Sequence, residues 1–423
     1  MIDDRETGAG RVLLLMKAST YRAPDFLQAA EQLGVDVVRV VDTPQSLAQT
    51  RDDFVGVDFS DLRTATEALV AFARERPVQA ILSVDDSGSL LAARASAALG
   101  LPHNAPEAAE AARDKFRMRT LMAQRGVATP TFRRFTTAED PRQVAQQVSY
   151  PCVLKPLRLS GSQGVMRADD AAELVFAIGR LTFLLQSLYD GSEAIPYLVE
   201  DYLPGVEVAL EGMLDREQLH MLALFDKPDP LEGPFFEETI YVTPSRLPKE
   251  TQAAIARETA EAARALGLQW GPVHAELRVN ERGVWLLEIA GRSIGGLCAR
   301  TLRFGVDTSL ETLILRQALG MDLGTLQREQ QARGVMMIPI PGEGLLRAVA
   351  GVAQAKAVAG VDEVEITAPL NNMLKPLPEG DSYLGFIFAR AATPQEVEQV
   401  LRQAHGKLRF EVEPVMMLRE IRD

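Results

Sequence analysis

Lysine is scarce in this chain. Of 45 basic residues only eight are lysines, at 17, 115, 155, 227, 249, 356, 375 and 407. Arginine therefore serves wherever a generic positive charge suffices, and each remaining lysine is a candidate for a compact point charge. Cysteine is scarcer. Cys152 and Cys298 each sit in an apolar stretch, which excludes a disulfide framework and a CxxC site and leaves two buried free thiols. The four histidines, His103, His220, His274 and His405, are scattered without zinc spacing. A net charge of -13 with no basic stripe excludes displacement of counterions from a nucleic acid. No apolar run reaches the length of a membrane span, and the opening MIDDRETGAG is polar and acidic. These absences predict a soluble, cytoplasmic protein whose partners are small molecules, with no nucleic acid and no membrane. Neither GxGxxG after the first strand nor GxxxxGK[ST] occurs, so a nicotinamide site and a Walker loop are both excluded.

What is present is a globular composition. With 47% hydrophobic and 24% charged residues, 423 residues suffice for two or three domains with real cores. The first hundred residues alternate predicted strands (12–16, 35–40, 78–84) with predicted helices (24–33, 62–76, 87–99), the pattern of a doubly wound parallel sheet. In such a sheet, Lys17 to Thr20 and Val84 to Ser87 lie beyond the strand ends and line a cleft.

The stretch Gly271 to Arg292, GPVHAELRVNERGVWLLEIAGR, reads as a hairpin. A three-residue loop Glu281-Arg282-Gly283 predicts Val279 opposite Trp285, Leu277 opposite Leu287 and Ala275 opposite Ile289 on a core face. On the other face Arg278 meets Leu286, Glu276 meets Glu288 and His274 meets Ala290. Two facing carboxylates destabilise a strand pair unless a positive group lies between them, and a hard divalent cation is the natural candidate.

Three further stretches carry polar residues where apolar ones are expected. Lys115 opens a predicted helix after Asp114. Lys155 ends the buried strand of Tyr150-Pro-Cys-Val-Leu-Lys-Pro156, ahead of the loop Leu159-Ser160-Gly161-Ser162-Gln163-Gly164-Val165. A lysine among apolar neighbours needs an anion, and unencumbered Ser/Gly amides cradle phosphates. Tyr197 to Val208, YLVEDYLPGVEV, reaches Glu200, bends at Pro204-Gly205 and leaves as a strand starting at Glu207.

In this order the motifs resemble the ATP-grasp superfamily, and within it the carboxylate-amine ligases, most of all the dipeptide-forming L-amino acid ligase group. Pro234-Phe-Phe-Glu-Glu-Thr239, GPVHAELR and EIAGRSIGG carry the closer likeness. The resemblance implies an α/β fold in four parts: an N-terminal α/β domain over 1–110, a small ATP-grasp subdomain with the phosphate loop over 111–196, a central domain over 197–330 and an α+β lobe over 331–423. It implies ATP and Mg2+ as cofactors, with Mn2+ as an alternative ion, small carboxylate and amine substrates, and a homodimer as a compatible assembly. By resemblance, Lys115 and Lys155 hold the ATP phosphates, and Ser160, Gly161, Ser162 and Gly164 close over them. Glu200, Tyr202 and Leu203 read adenine, Glu207 the ribose, Glu276 and Glu288 the metal. Arg292 meets the transferred phosphoryl group and the carboxylate substrate beside Gly295 and Gly296, at what reads as a helix start. His274 contacts the acceptor substrate. Phe225 to Pro244 forms a lid whose Glu237 and Glu238 attract an ammonium group, and Tyr241, Trp270 and Leu297 are candidates for a side-chain pocket. In one position the chain departs from the family: its usual asparagine two residues after the second metal glutamate is Ala290 here. The C-terminal lobe reads as scaffolding. Related ligases or carboxylases, and a non-catalytic nucleotide-binding protein, are the alternatives; release of ADP and phosphate separates the last from the others.

Overall fold

The structure is a computed structural model and describes residues 9–189, 194–216, 218–306 and 308–414. It divides into two compact units. The first gathers the described residues up to Thr129 with Val208–Leu224 and Leu247–Gln330. The second comprises Pro130–Glu207, Phe225–Arg246 and the residues from Gln331 onward.

In the first unit the strand Ala9–Lys17 lies between Val35–Asp42 and Ala80–Ser83, parallel to both, and Phe54–Val57 extends the sheet alongside Val35–Asp42. The predicted alternation is borne out. The helices Ala23–Leu33, Leu62–Glu75 and Asp86–Leu99 follow because their apolar residues recur at helical spacing and their starts are set by Pro24, Asp61 and Asp85. Phe54–Val57, too short to stand out from its surroundings, escapes the sequence reading.

The strands Gly283–Ala290, Trp270–Asn280, Val206–Asp215 and Gln218–Asp226 are hydrogen-bonded neighbours in that order. The helix Lys249–Leu266 packs Ile255, Ala262, Ala263 and Leu266 onto Ala275, Leu277, Leu286 and Ile289. The hairpin register departs from the predicted one. His274 faces Ala290, Ala275 faces Ile289 and Glu276 faces Glu288 as expected, but then the ladder shifts and Leu277 faces Leu286, Arg278 faces Trp285 and Asn280 faces Gly283. The loop is thus the two residues Glu281-Arg282, and Leu287 is the extra residue of a bulge. Because one residue is absorbed there, Trp285 leaves the core face, its ring lying 5.1 Å from the Arg282 guanidinium. Buried Arg119 donates to the carbonyls of Leu286 (3.3 Å) and Leu287 (2.8 Å), satisfying acceptors at the bulge.

The second unit has an antiparallel sheet ordered Phe132–Thr136, Pro196–Asp201, Cys152–Pro156, Met166–Ala168, covered by the helix Ala171–Leu188. That helix revises one expectation: its 18 residues are long and apolar enough to cross a membrane by length and composition. Leu174, Ile178, Leu181 and Leu185 are nevertheless packed in the core of the sheet. The strands Ile240–Thr243, Ala332–Ile338, Gly385–Ala391 and Val361–Ile366 are antiparallel neighbours in that order, and against them the helix Pro394–His405 buries Val397 and Leu401; its start is fixed by a capping box between Thr393 and Glu396. The short strand Met373–Leu374 also belongs to this lobe.

Both cysteines are buried as predicted, and burial pushes the Cys152 thiol up to about 12, with Asp201 and Asp169 adding to the shift. Thiolate is the reactive form. Ellman's reagent at pH 8 should therefore find close to no reactive thiol in the native protein and both in urea; rapid native labelling would contradict the burial.

Candidate functional site

In the first unit, Asp114 caps the helix Lys115–Gln124, accepting the N–H groups of Phe116 at 3.1 Å and Arg117 at 3.0 Å. This sets Lys115 at the first helical position, where it is buried and its Nζ lies 3.2 Å from the Glu288 carboxylate. The facing pair Glu276 and Glu288 thus has a cation at hand. Arg292 follows the same strand. Its Nε and Nη2 donate to one carboxylate oxygen of Asp86 at 2.9 and 2.7 Å, and its Nη1 donates to the Ser293 carbonyl at 3.0 Å. Burial opposes its charge, yet Asp86, Glu288 and Glu211 raise its pKa above the ordinary arginine value.

His274 is buried between two carboxylates, Nδ1 3.3 Å from Glu211 and Nε2 3.6 Å from Glu276. Burial favours the neutral ring, but both glutamates act the other way and its pKa is raised. Glu211 is fully buried. Burial raises its pKa, against His274 and the Ile294 N–H, which donates at 3.0 Å. Its other oxygen has no hydrogen-bond partner among the described residues.

Beside Arg292 lies a cavity of about 100 Å³ lined among others by Ser83, Asp86, Ser89, Trp270 and Gly271. Of the two segments expected to line a cleft, Val84 to Ser87 contributes through Asp86, while Lys17, Ala18 and Ser19 are exposed and do not line this cavity. Trp270 lines this cavity; Leu297 is buried and does not. The turn Gly295-Gly296 leads only into the short 3-10 helix Cys298–Thr301, so no α-helix starts there.

In the second unit, Lys155 forms an ion pair with Glu200, which is 3% exposed. The residues proposed for phosphate and adenine are therefore ion-pair partners. Tyr202 lies under Arg167, 4.2 Å from guanidinium to ring centroid, and Leu203 is buried. In the glycine loop Ser160 and Gly161 are exposed, while Gly164 is buried.

The lid is shorter than expected. Phe225 and Asp226 end the strand Gln218–Asp226, and the strand Ile240–Thr243 follows, so the loop proper is 227–239. Within it Glu238 does not stand open for an ammonium group: it pairs with buried Lys227, which also holds Glu207 at 2.8 Å and lies 4.9 Å from the Tyr241 ring centroid. Glu237 is half-buried. Burial raises its pKa, against a backbone hydrogen bond from Ile340.

Three residues in this geometry are new. Lys227 is one of the eight lysines whose rarity already marked it. Glu211 interrupts the apolar strand VEVALEGMLD, a local signal that could have singled it out. Asp86 sits within a segment placed at a strand end, but its pairing with Arg292 is visible only in three dimensions.

With this arrangement in view, comparison with known families gives three matches: an ATP-grasp N-terminal domain over residues 27–103, an ATP-grasp domain over 148–301, and an L-amino acid ligase C-terminal domain 2 over 336–413. The chain carries ATP-grasp domains, as its motif order predicts. Its likeness within that class runs to L-amino acid ligases: the crystal structure of the enzyme from Bacillus licheniformis superposes with a TM-score of 0.81 at 25% identity, covering 97% of this chain and 100% of that one. Alanine–anticapsin ligase of Bacillus subtilis is 28% identical over 285 residues, 62% of this chain. That match spans 60% of the relative's own length. An uncharacterized protein of Sinorhizobium fredii is 23% identical over 410 residues, 96% of this chain and 84% of the relative.

Proposed function

We propose that the chain is an ATP-dependent carboxylate-amine ligase. It forms an amide through an acyl phosphate, releases ADP and phosphate, and joins two amino acids or an amino acid and a small carboxylic acid. The observation that carries this reading is the facing pair Glu276 and Glu288, with Lys115 paired to Glu288 and the Arg292 charge favoured by it.

A carboxylate does not condense with an amine at neutral pH, because oxide is too poor a leaving group. Transfer of the γ-phosphoryl group makes that oxygen part of a phosphate, and the amine then displaces it. Two facing carboxylates with only oxygen donors fit magnesium, or manganese in its place; Ala290 adds no ligand. Such an ion supplies charge neutralisation on the transferred phosphoryl group. In the first unit, Lys115 and Arg292 bring cations to the developing charge, and Arg292 meets the carboxylate substrate, for which the adjoining cavity leaves room. His274 keeps its proton more firmly than an ordinary histidine, which suits a donor that orients a substrate carboxylate and not a general base. In the second unit, Lys155 and the glycine loop hold phosphates, Glu200, Tyr202 and Leu203 face adenine, and Glu207 takes the ribose hydroxyls.

Within the lid the ammonium partner is Glu237, since Glu238 is engaged by Lys227. Replacing both would also disturb the cation that holds Glu207, so the single change is the cleaner test. Glu237→Gln should raise the amine KM about tenfold, the scale of one charge-assisted hydrogen bond, and leave the ATP KM unchanged. A raised ATP KM with an unchanged amine KM would assign the lid to the nucleotide.

The function itself is tested with ATP, magnesium and pooled amino acids, reading ADP, phosphate and the mass of any condensation product. Amino-acid-dependent ADP release with a product one water lighter than its two substrates is expected. ATP bound without turnover against any pool would favour a non-catalytic role.

A further inference from the structure

The two ends of the glycine loop are held differently. Ser160 and Gly161 at its tip are exposed. At the other end, the Gly164 N–H donates to the Pro378 carbonyl at 2.8 Å, and the Gln163 side-chain amide donates to the Glu379 carbonyl at 2.8 Å. Gly164 has φ +73°, and a Cβ there would meet Leu181 at 2.9 Å, so both backbone and space reserve the position for glycine. The receiving turn is itself tightly built. The Gly380 N–H donates to the Pro376 carbonyl at 2.9 Å, and a Cβ on Gly380 would fall 1.8 Å from the Lys375 carbonyl oxygen.

Glu379 is gripped from outside the turn. Arg180, on the helix Ala171–Leu188, donates through Nε and Nη2 to its two carboxylate oxygens at 2.6 and 2.8 Å, a two-point fork. The same guanidinium lies 5.1 Å from the ring centroid of Phe235 in the lid. One arginine therefore joins the helix beneath the phosphate loop, the turn that anchors the loop and the lid.

We propose that the turn Lys375 to Asp381, clamped by the Arg180–Glu379 pair, is a positioning device for the phosphate-covering loop. The C-terminal lobe, which reads from sequence as scaffolding, thereby becomes part of the nucleotide site. The physical reason is preorganisation. With Gln163 and Gly164 already fixed, only the tip has to order when it closes over phosphates, and less conformational entropy is lost on binding. Arg180 and Glu379 touch no substrate in this scheme; they act through the loop.

The inference rests on the ATP reading above, and the experiment separates the two. Wild type and Glu379→Gln are titrated calorimetrically with MgATP and with adenosine, and their thermal unfolding is compared. Glu379→Gln should weaken MgATP about five- to tenfold, as expected when a closing loop loses its preorganisation, and leave adenosine affinity unchanged. Unfolding should move little, because both side chains are about one-third exposed. The exchanged pair Arg180→Glu with Glu379→Arg should recover most of the MgATP affinity. MgATP affinity equal to wild type in Glu379→Gln, or an equal loss for adenosine, overturns the positioning role while leaving the ATP reading intact. Wild type that binds no MgATP overturns both.

Discussion

Replacement of Glu288 by glutamine should reduce ATP-dependent turnover by about a thousandfold or more, since electrostatic stabilisation of the transferred phosphoryl group is where such a site does most of its catalysis. Substitution leaves the strand pairing untouched, because amide and carboxylate are nearly the same size. Sequence alone argues that removing one of two facing charges stabilises the ligand-free sheet. The structure reverses that sign. Lys115 already lies 3.2 Å from Glu288, so the substitution takes a carboxylate away from a buried ammonium group and should cost about 1 kcal/mol. Steady-state ADP release and urea denaturation check the two halves separately. Full turnover in the variant would remove Glu276 and Glu288 from the chemistry, and a gain in stability would show that Lys115 does not neutralise the pair.

The second large effect is expected at Lys155. Lys155→Ala should weaken MgATP by about a hundredfold or more, as loss of a buried cation from a phosphate site does. It should also lower stability, because Glu200, only 3% exposed, loses its ion pair with Lys155. The two losses can be separated. Adding Glu200→Gln removes the carboxylate that lost its Lys155 ion pair and should restore part of the stability without restoring nucleotide affinity. Lys249→Ala serves as the control, since Lys249 is exposed at the start of the helix Lys249–Leu266 and should alter neither quantity. Equal nucleotide affinities in the Lys155 and Lys249 variants would refute the assignment.

Much of the fold is legible in the sequence because its elements have local causes. Pro24, Asp61, Asp85, Asp114 and Thr393 mark helix starts, and strict alternation places Glu276 opposite Glu288. Leu287 shows where this stops. A bulge costs the ladder one residue, and an apolar Leu-Leu pair reads equally well in either register until Arg119, far away in sequence, supplies donors to both carbonyls. Candidate residues are recognisable by their unusual settings: a lysine ending an apolar strand, a glutamate beside a Pro-Gly bend. Their partners are not, because Asp86 with Arg292, Lys227 with Glu207, and Glu379 with Arg180 are long-range pairings of residue types that are ordinary on any surface. The contribution of the C-terminal lobe was hidden for the same reason, since a turn reveals its task only through what it holds.

Lys227 has a consequence for anyone altering this protein. A library that randomises Glu238 also perturbs an ammonium group bound to Glu207. Under the roles proposed above for Glu207 and the lid, variants selected on the acceptor would carry unselected changes in nucleoside recognition, and acceptor range and nucleotide choice would not be independent axes of diversification. Randomising Glu237 while holding Lys227, Glu207 and Glu238 fixed explores the first without dragging the second along.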